Sequence, residues 1–139
     1  MKINLNRIND DFLFECTNSA GHKILIDNTS QPDAKGVSPM ETVLMAVAGC
    51  SGIDIVSILH KQRQTITNFS AEVVGERHPL DQAKPFKTIT VVFRIDGEVS
   101  PIKALKAAIL SFDDYCSVSK SLDSSVEIKY EVIVNGEKV

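Results

Sequence analysis

Between Pro39 and Arg63 the chain carries Val43, Leu44, Met45, Ala46, Val47, Ala48, Ile53, Ile55, Val56, Ile58 and Leu59. On an α-helix these residues point in every direction around the axis, and no solvent-facing stripe opens before Lys61, Gln62 and Arg63. Such a helix has to be enclosed. At ~1.5 Å per residue a helix over 39–63 is roughly 33–38 Å long, whereas a compact chain of this length has a radius of gyration of only ~14 Å. One chain is too small to wrap it, so the sequence predicts an intertwined homodimer that pools two such helices in one core. A membrane span is the rival reading. Glu41, Ser51, Asp54 and Ser57 argue against it by interrupting the apolar run short of the ~18–20 residues a span requires, and no membrane partner is expected.

The start of this helix is signalled three times. Ser38 suits the N-cap, Pro39 the first helical position, and Glu41 stands three residues after the serine, as a capping box requires. Upstream, Ile3 and Leu5, then Phe12, Phe14 and Cys16, then Ile24 and Ile26 alternate with period two between turn-forming segments, which predicts three short antiparallel strands over 2–27. Residues 68–76 and 86–96 are β-branched and alternating, and predict a hairpin or two sheet strands. Ser100-Pro101 repeats the cap-then-proline opening. It leads into an amphipathic helix through Ile102, Leu105, Ala108, Ile109 and Phe112 that ends near Asp113-Asp114, with a short helical turn expected at 116–119. Residues 126–132 alternate as a closing strand, and Asn135-Gly136 marks the tail. No repeat or linker divides the chain, so the prediction is one α+β domain over residues 1–139.

Charge and cysteine usage narrow the function. A formal charge of −3, with 15 basic residues spread along the chain, offers no strip able to neutralise a phosphate backbone, and no nucleic-acid partner is expected. The N-terminal residues contain no apolar stretch of signal-peptide length, and three cysteines, an odd number, do not suit a secreted disulfide framework. Both point to a cytoplasmic protein.

The chemistry rests on thiols. Cys16 lies on an alternating strand and reads as an inward-packing residue. Cys50 sits in the middle of the apolar helix, where it is either a small buried hydrophobe or a reactive thiol, while the polar surroundings of Cys116 suit a core residue less well. His60 follows Cys50 by ten residues, a rotation of ~280° on a helix, so the two do not share a face. The chain has no paired Cys/His spacing, glycine-rich phosphate loop or nucleophile elbow. Neither a metal nor an organic cofactor is expected, and the thiol has no histidine base.

Ser38-Pro39-Met40-Glu41-Thr42-Val43-Leu44-Met45-Ala46-Val47-Ala48-Gly49-Cys50-Ser51-Gly52-Ile53-Asp54 and Tyr115-Cys116-Ser117-Val118-Ser119 resemble the two signature stretches of the OsmC/Ohr family. Gly75-Glu76-Arg77 and Phe86-Lys87-Thr88-Ile89 are similar to OsmC-like members as well, so that the likeness runs from residue 2 to 134. The resemblance implies an α+β, OsmC-like fold, with antiparallel sheets packed around a long central helix in an intertwined homodimer. It further implies a thiol peroxidase acting on apolar organic hydroperoxides, with Cys50 peroxidatic, Cys116 resolving, and an external dithiol as reductant. The substrate pocket is expected from Met40, Val43, Leu44, Val47 and strand phenylalanines.

Cys50 would need a cation, because an apolar helix raises a thiol pKa. Lowering it from ~8.5 to ~6 takes about 3.4 kcal/mol, and one guanidinium at ~4 Å is worth about 4 kcal/mol at an effective dielectric near 20. The resemblance implies Arg77 or Arg7 for this role. Glu41 would either hold that arginine or complete the Ser38 capping box. In the Ohr pattern the acid directly follows the proline, whereas here Met40 stands there and the acid comes one residue, ~100° of helix, later. The alternative reading is therefore a non-peroxidatic OsmC-like protein, redox-sensitive or binding a small ligand.

Overall fold

The computed structural model describes residues 1–139, which form two compact units, 1–43 and 44–139. The first contains β1 (Ile3–Arg7), β2 (Phe14–Asn18) and β3 (Lys23–Ile26), an antiparallel sheet in the order β1-β2-β3. Its turns are closed by side chains. Asn9 Oδ1 accepts the Asp11 and Leu13 N–H groups at 3.1 and 3.0 Å, and Asn18 Oδ1 accepts those of Ala20 and His22 at 3.0 and 2.9 Å. Cys16 pairs with Leu5 and Ile24 across the sheet and is buried, as its place on an alternating strand predicts.

α1 (Pro39–Lys61) begins in the first unit and continues into the second. Its capping box is complete: Ser38 Oγ accepts the Glu41 N–H at 3.1 Å, and a Glu41 carboxylate oxygen accepts the Ser38 N–H at 2.7 Å. By length and composition α1 is sufficient to cross a membrane, so the four polar residues do not break the run as expected. Two of them are drawn into the helix's own packing. Ser51 is buried and donates back to the Val47 carbonyl at 2.7 Å, and Asp54 is hydrogen-bonded from a neighbouring element.

In the second unit β4 (Thr65–Arg77) and β5 (Phe86–Glu98) form a long antiparallel hairpin, flanked in the order β4-β5-β6-β7 by β6 (Glu127–Val134) and β7 (Glu137–Lys138). Ile89, Val91, Phe93 and Ile95 alternate along β5 and are all fully buried. The α+β class stands, with one departure: β6 joins β5 in parallel, from Thr88↔Glu127 to Ile95↔Val134. A parallel neighbour needs a crossover, and the segment after β5 provides it with α2 (Pro101–Leu110), a π-helical turn (Ser111–Tyr115) and α3 (Ser117–Ser121). Ser100 makes no side-chain cap. Its N–H instead donates to Gln64 Oε1 at 2.8 Å. Asn135-Gly136 is a hairpin turn rather than a tail, with φ of 50° and 85°, and it leads into β7.

α1 packs on this sheet through a glycine contact from each side. A Cβ on Gly52 would stand 3.3 Å from the Phe69 ring, and one on Gly75 would enter the space of Phe86 and Leu44. Rings of Phe69, Phe93, Phe112 and Tyr130 then continue in series, at centroid separations of 5.9, 6.2 and 4.8 Å, from β4 through β5 and the π turn to β6.

Candidate functional site

The π turn follows α2 without a break. The Cys116 N–H reaches the Ser111 carbonyl five residues back, at 2.7 Å, and Cys116 itself is extended, with φ −67° and ψ 93°. This widened turn orients two side chains. Ser111, fully buried, donates from Oγ to Asp54 Oδ2 on α1 at 3.0 Å, and Cys116, also fully buried, sits where the turn meets α3. Ser119, three residues further on, donates to Cys116 Sγ at 2.9 Å.

Cys50 lies half-buried on α1, one turn before Asp54 and on the same face. The Cys50 and Cys116 sulfurs and an Asp54 carboxylate oxygen all lie within 4.8 Å of one another, and both thiols are free. Two cysteines 66 residues apart in the chain are thus neighbours in space.

Burial pushes the Cys50 thiol above its ordinary pKa. The Val118 N–H, directed at the sulfur, pulls the other way, while the hydrogen bond and charge of Cys116 and then the charge of Asp54 push it further up. No basic side chain of residues 44–139 figures among these groups. Arg77 stands exposed at the end of β4 with its Nε donating to the Lys84 carbonyl at 2.6 Å, and Arg7 is exposed at the end of β1 in the first unit. Glu41 is exposed and held by Ser38, whose backbone and side chain lower its pKa.

Beside the thiols, a cleft of about 360 Å³ is lined by Asp54, Ile58, Lys61, Leu110 and Tyr115 among others, the second half of α1 facing the end of α2 and the π turn. Val47, expected to line a pocket, has no exposed surface. Ser111 has no signal in the sequence, and Ser119, which reads there with Ser117 as a cap of the short helix at Cys116, makes no side-chain cap and donates to the sulfur instead. A π turn has no composition signature, and without it the partner of neither serine is visible.

A family model described as OsmC-like protein matches residues 32–131. The chain belongs to the OsmC-like family. Protein YhfA of Escherichia coli K12 is 39% identical over 118 residues, which are 83% of this chain and 86% of that protein. Among solved structures, a hypothetical protein from Aquifex aeolicus VF5 is 26% identical, with a TM-score of 0.80 over 96% of each chain. The organic hydroperoxide resistance protein OhrB of Bacillus subtilis is 17% identical and superposes with a TM-score of 0.64 over 95% of this chain and 98% of that one, a likeness in fold alone. Both signature stretches of the OsmC-like family in this chain, around Cys50 and around Cys116, meet at the site just described.

Proposed function

We propose that this OsmC-like protein is a thiol-dependent peroxidase for organic hydroperoxides, acting as a cytoplasmic homodimer. The observation that carries the reading is the approach of the Cys50 and Cys116 sulfurs within 4.8 Å, on elements that reach each other only through the tertiary fold. The Cys50 thiolate attacks the distal peroxide oxygen, and the O–O bond breaks. The alkoxide takes up a proton to leave as alcohol, and Cys50 becomes a sulfenic acid. The Cys116 thiolate then attacks the Cys50 sulfur, hydroxide departs as water, and a disulfide forms. An external dithiol returns the pair to the reduced state. The apolar side of the adjoining cleft, Ile58 and Leu110, favours alkyl hydroperoxides over hydrogen peroxide.

The homodimer is supported by the surface of α1. Only 28% of its most apolar stretch is buried within the chain, and Met45, Gly49 and Ile53 form an exposed i, i+4, i+8 stripe. In the dimer, Arg77 or Arg7 supplies the guanidinium that the half-buried Cys50 thiol requires.

One observation favours the non-peroxidatic reading: the Glu41 carboxylate is engaged with the Ser38 N–H rather than with an arginine. Titration of the reduced protein with cumene hydroperoxide separates the two. The peroxidase loses two thiols rapidly, Cys50→Ser abolishes turnover, and Cys116→Ser accumulates a sulfenic acid that dimedone traps. Slow thiol loss, or loss indifferent to Cys50, establishes the non-peroxidatic reading instead.

A further inference from the structure

We propose that Cys50, Cys116 and Asp54, in their reduced state, are a three-ligand site for one zinc ion with a fourth position left open. Their donor atoms lie within 4.8 Å of one another. Ligand sulfurs around a tetrahedral zinc, at ~2.3 Å from the metal, stand ~3.8 Å apart, so closing the site takes a side-chain adjustment of about 1 Å. Cys50 and Asp54, four residues apart on α1, grip from one helix, and Cys116 closes from the π turn. Two thiolates with one carboxylate suit a borderline-soft ion of flexible tetrahedral geometry, and do not suit magnesium or calcium, which take oxygen ligands.

The contacts around the ligands are those of a prepared site. Ser111 holds Asp54 Oδ2 at 3.0 Å and leaves the other carboxylate oxygen free, and Ser119 orients the Cys116 sulfur at 2.9 Å. Electrostatics agree. Three acidic groups converge, and a divalent cation at their centre is what lets two neighbouring thiols ionise beside a carboxylate. Zinc replaces two thiol protons, which pass to solvent. No electrons are transferred, and the bound site carries one net negative charge. One lone pair of each sulfur is then donated to the metal, which draws off the thiolate charge, so zinc slows both attack on peroxide and disulfide closure.

The test uses the full-length protein, reduced, stripped of metal and kept free of oxygen, titrated with zinc alone against a chromophoric chelator and separately with cobalt. The expected result is one zinc per chain and thiolate-to-cobalt charge-transfer absorption. Both should be lost in Cys50→Ser, in Cys116→Ser and in the disulfide form of the unaltered protein, which needs no substitution. Asp54→Asn should bind at least ~10-fold more weakly, and Cys16→Ser should bind normally. Absence of stoichiometric binding, binding that survives oxidation of the pair, or binding lost with Cys16 overturns the site. The two readings fail separately. Rapid disulfide formation without zinc uptake rejects the metal site alone, and zinc uptake by thiols that resist cumene hydroperoxide rejects the peroxidase alone.

Discussion

Ser111 and Asp54 are joined by a 3.0 Å hydrogen bond across 57 residues of sequence, the hydroxyl of a π-helical turn donating to a carboxylate on α1. This bond fastens the element that carries Cys116 to the helix that carries Cys50, so the spacing of the two thiols depends on it.

Ser111→Ala removes the donor and leaves a partly buried carboxylate unpartnered. The expected cost is about 1.5–3 kcal/mol in urea unfolding, the range for hydrogen bonds to charged groups. Disulfide formation between Cys50 and Cys116 should slow in parallel. An unchanged unfolding midpoint would show that the bond does not hold the two elements together.

Ser119→Ala frees the Cys116 sulfur from its 2.9 Å hydrogen bond while removing little volume. Sulfenic acid formation at Cys50 should proceed at the parental rate, with ring closure several-fold slower. Dimedone trapping after a peroxide pulse measures the difference, as a larger trapped fraction.

Ile53 is 73% exposed in the single chain, so Ile53→Glu should leave the fold of one protomer intact. If α1 is the dimer seam, the variant sediments as a monomer while the parent sediments as a dimer. A parent that is monomeric at all concentrations refutes the seam.

Gly75 and Gly52 differ in the space left for a methyl group. A Cβ at Gly75 enters the Phe86 ring and Leu44, whereas at Gly52 it stands 3.3 Å from the Phe69 ring. Gly75→Ala should cost about 1–3 kcal/mol by overpacking and Gly52→Ala measurably less, both read from thermal unfolding.

The capping box gives a pH dependence of defined sign. Ser38 holds the Glu41 carboxyl below the ordinary glutamate value. Its contribution to stability is therefore present above the unfolded-state pKa of ~4.3 and is lost as pH falls through the lower folded-state value. Glu41→Gln should flatten this part of the acid limb in a pH series of unfolding midpoints. Ser38→Ala, measured at neutral pH, should cost about 1 kcal/mol.

Local order was legible in the residues themselves. The Ser38–Glu41 box, the Asn9 and Asn18 turns and the alternation through Ile89, Val91, Phe93 and Ile95 all act over a few residues, where side-chain type determines the backbone partner. The apolar sweep of α1 likewise announced a helix in need of cover, and the two cysteine motifs announced the family. What only the tertiary structure decided is which groups meet. The parallel pairing of β6 with β5 and the π turn that bends the chain at Cys116 leave no periodic trace. The convergence of Cys50, Asp54 and Cys116 could not be read from spacing, because two of the donors lie on one helix and the third arrives from an element whose position is set by packing across the whole second unit.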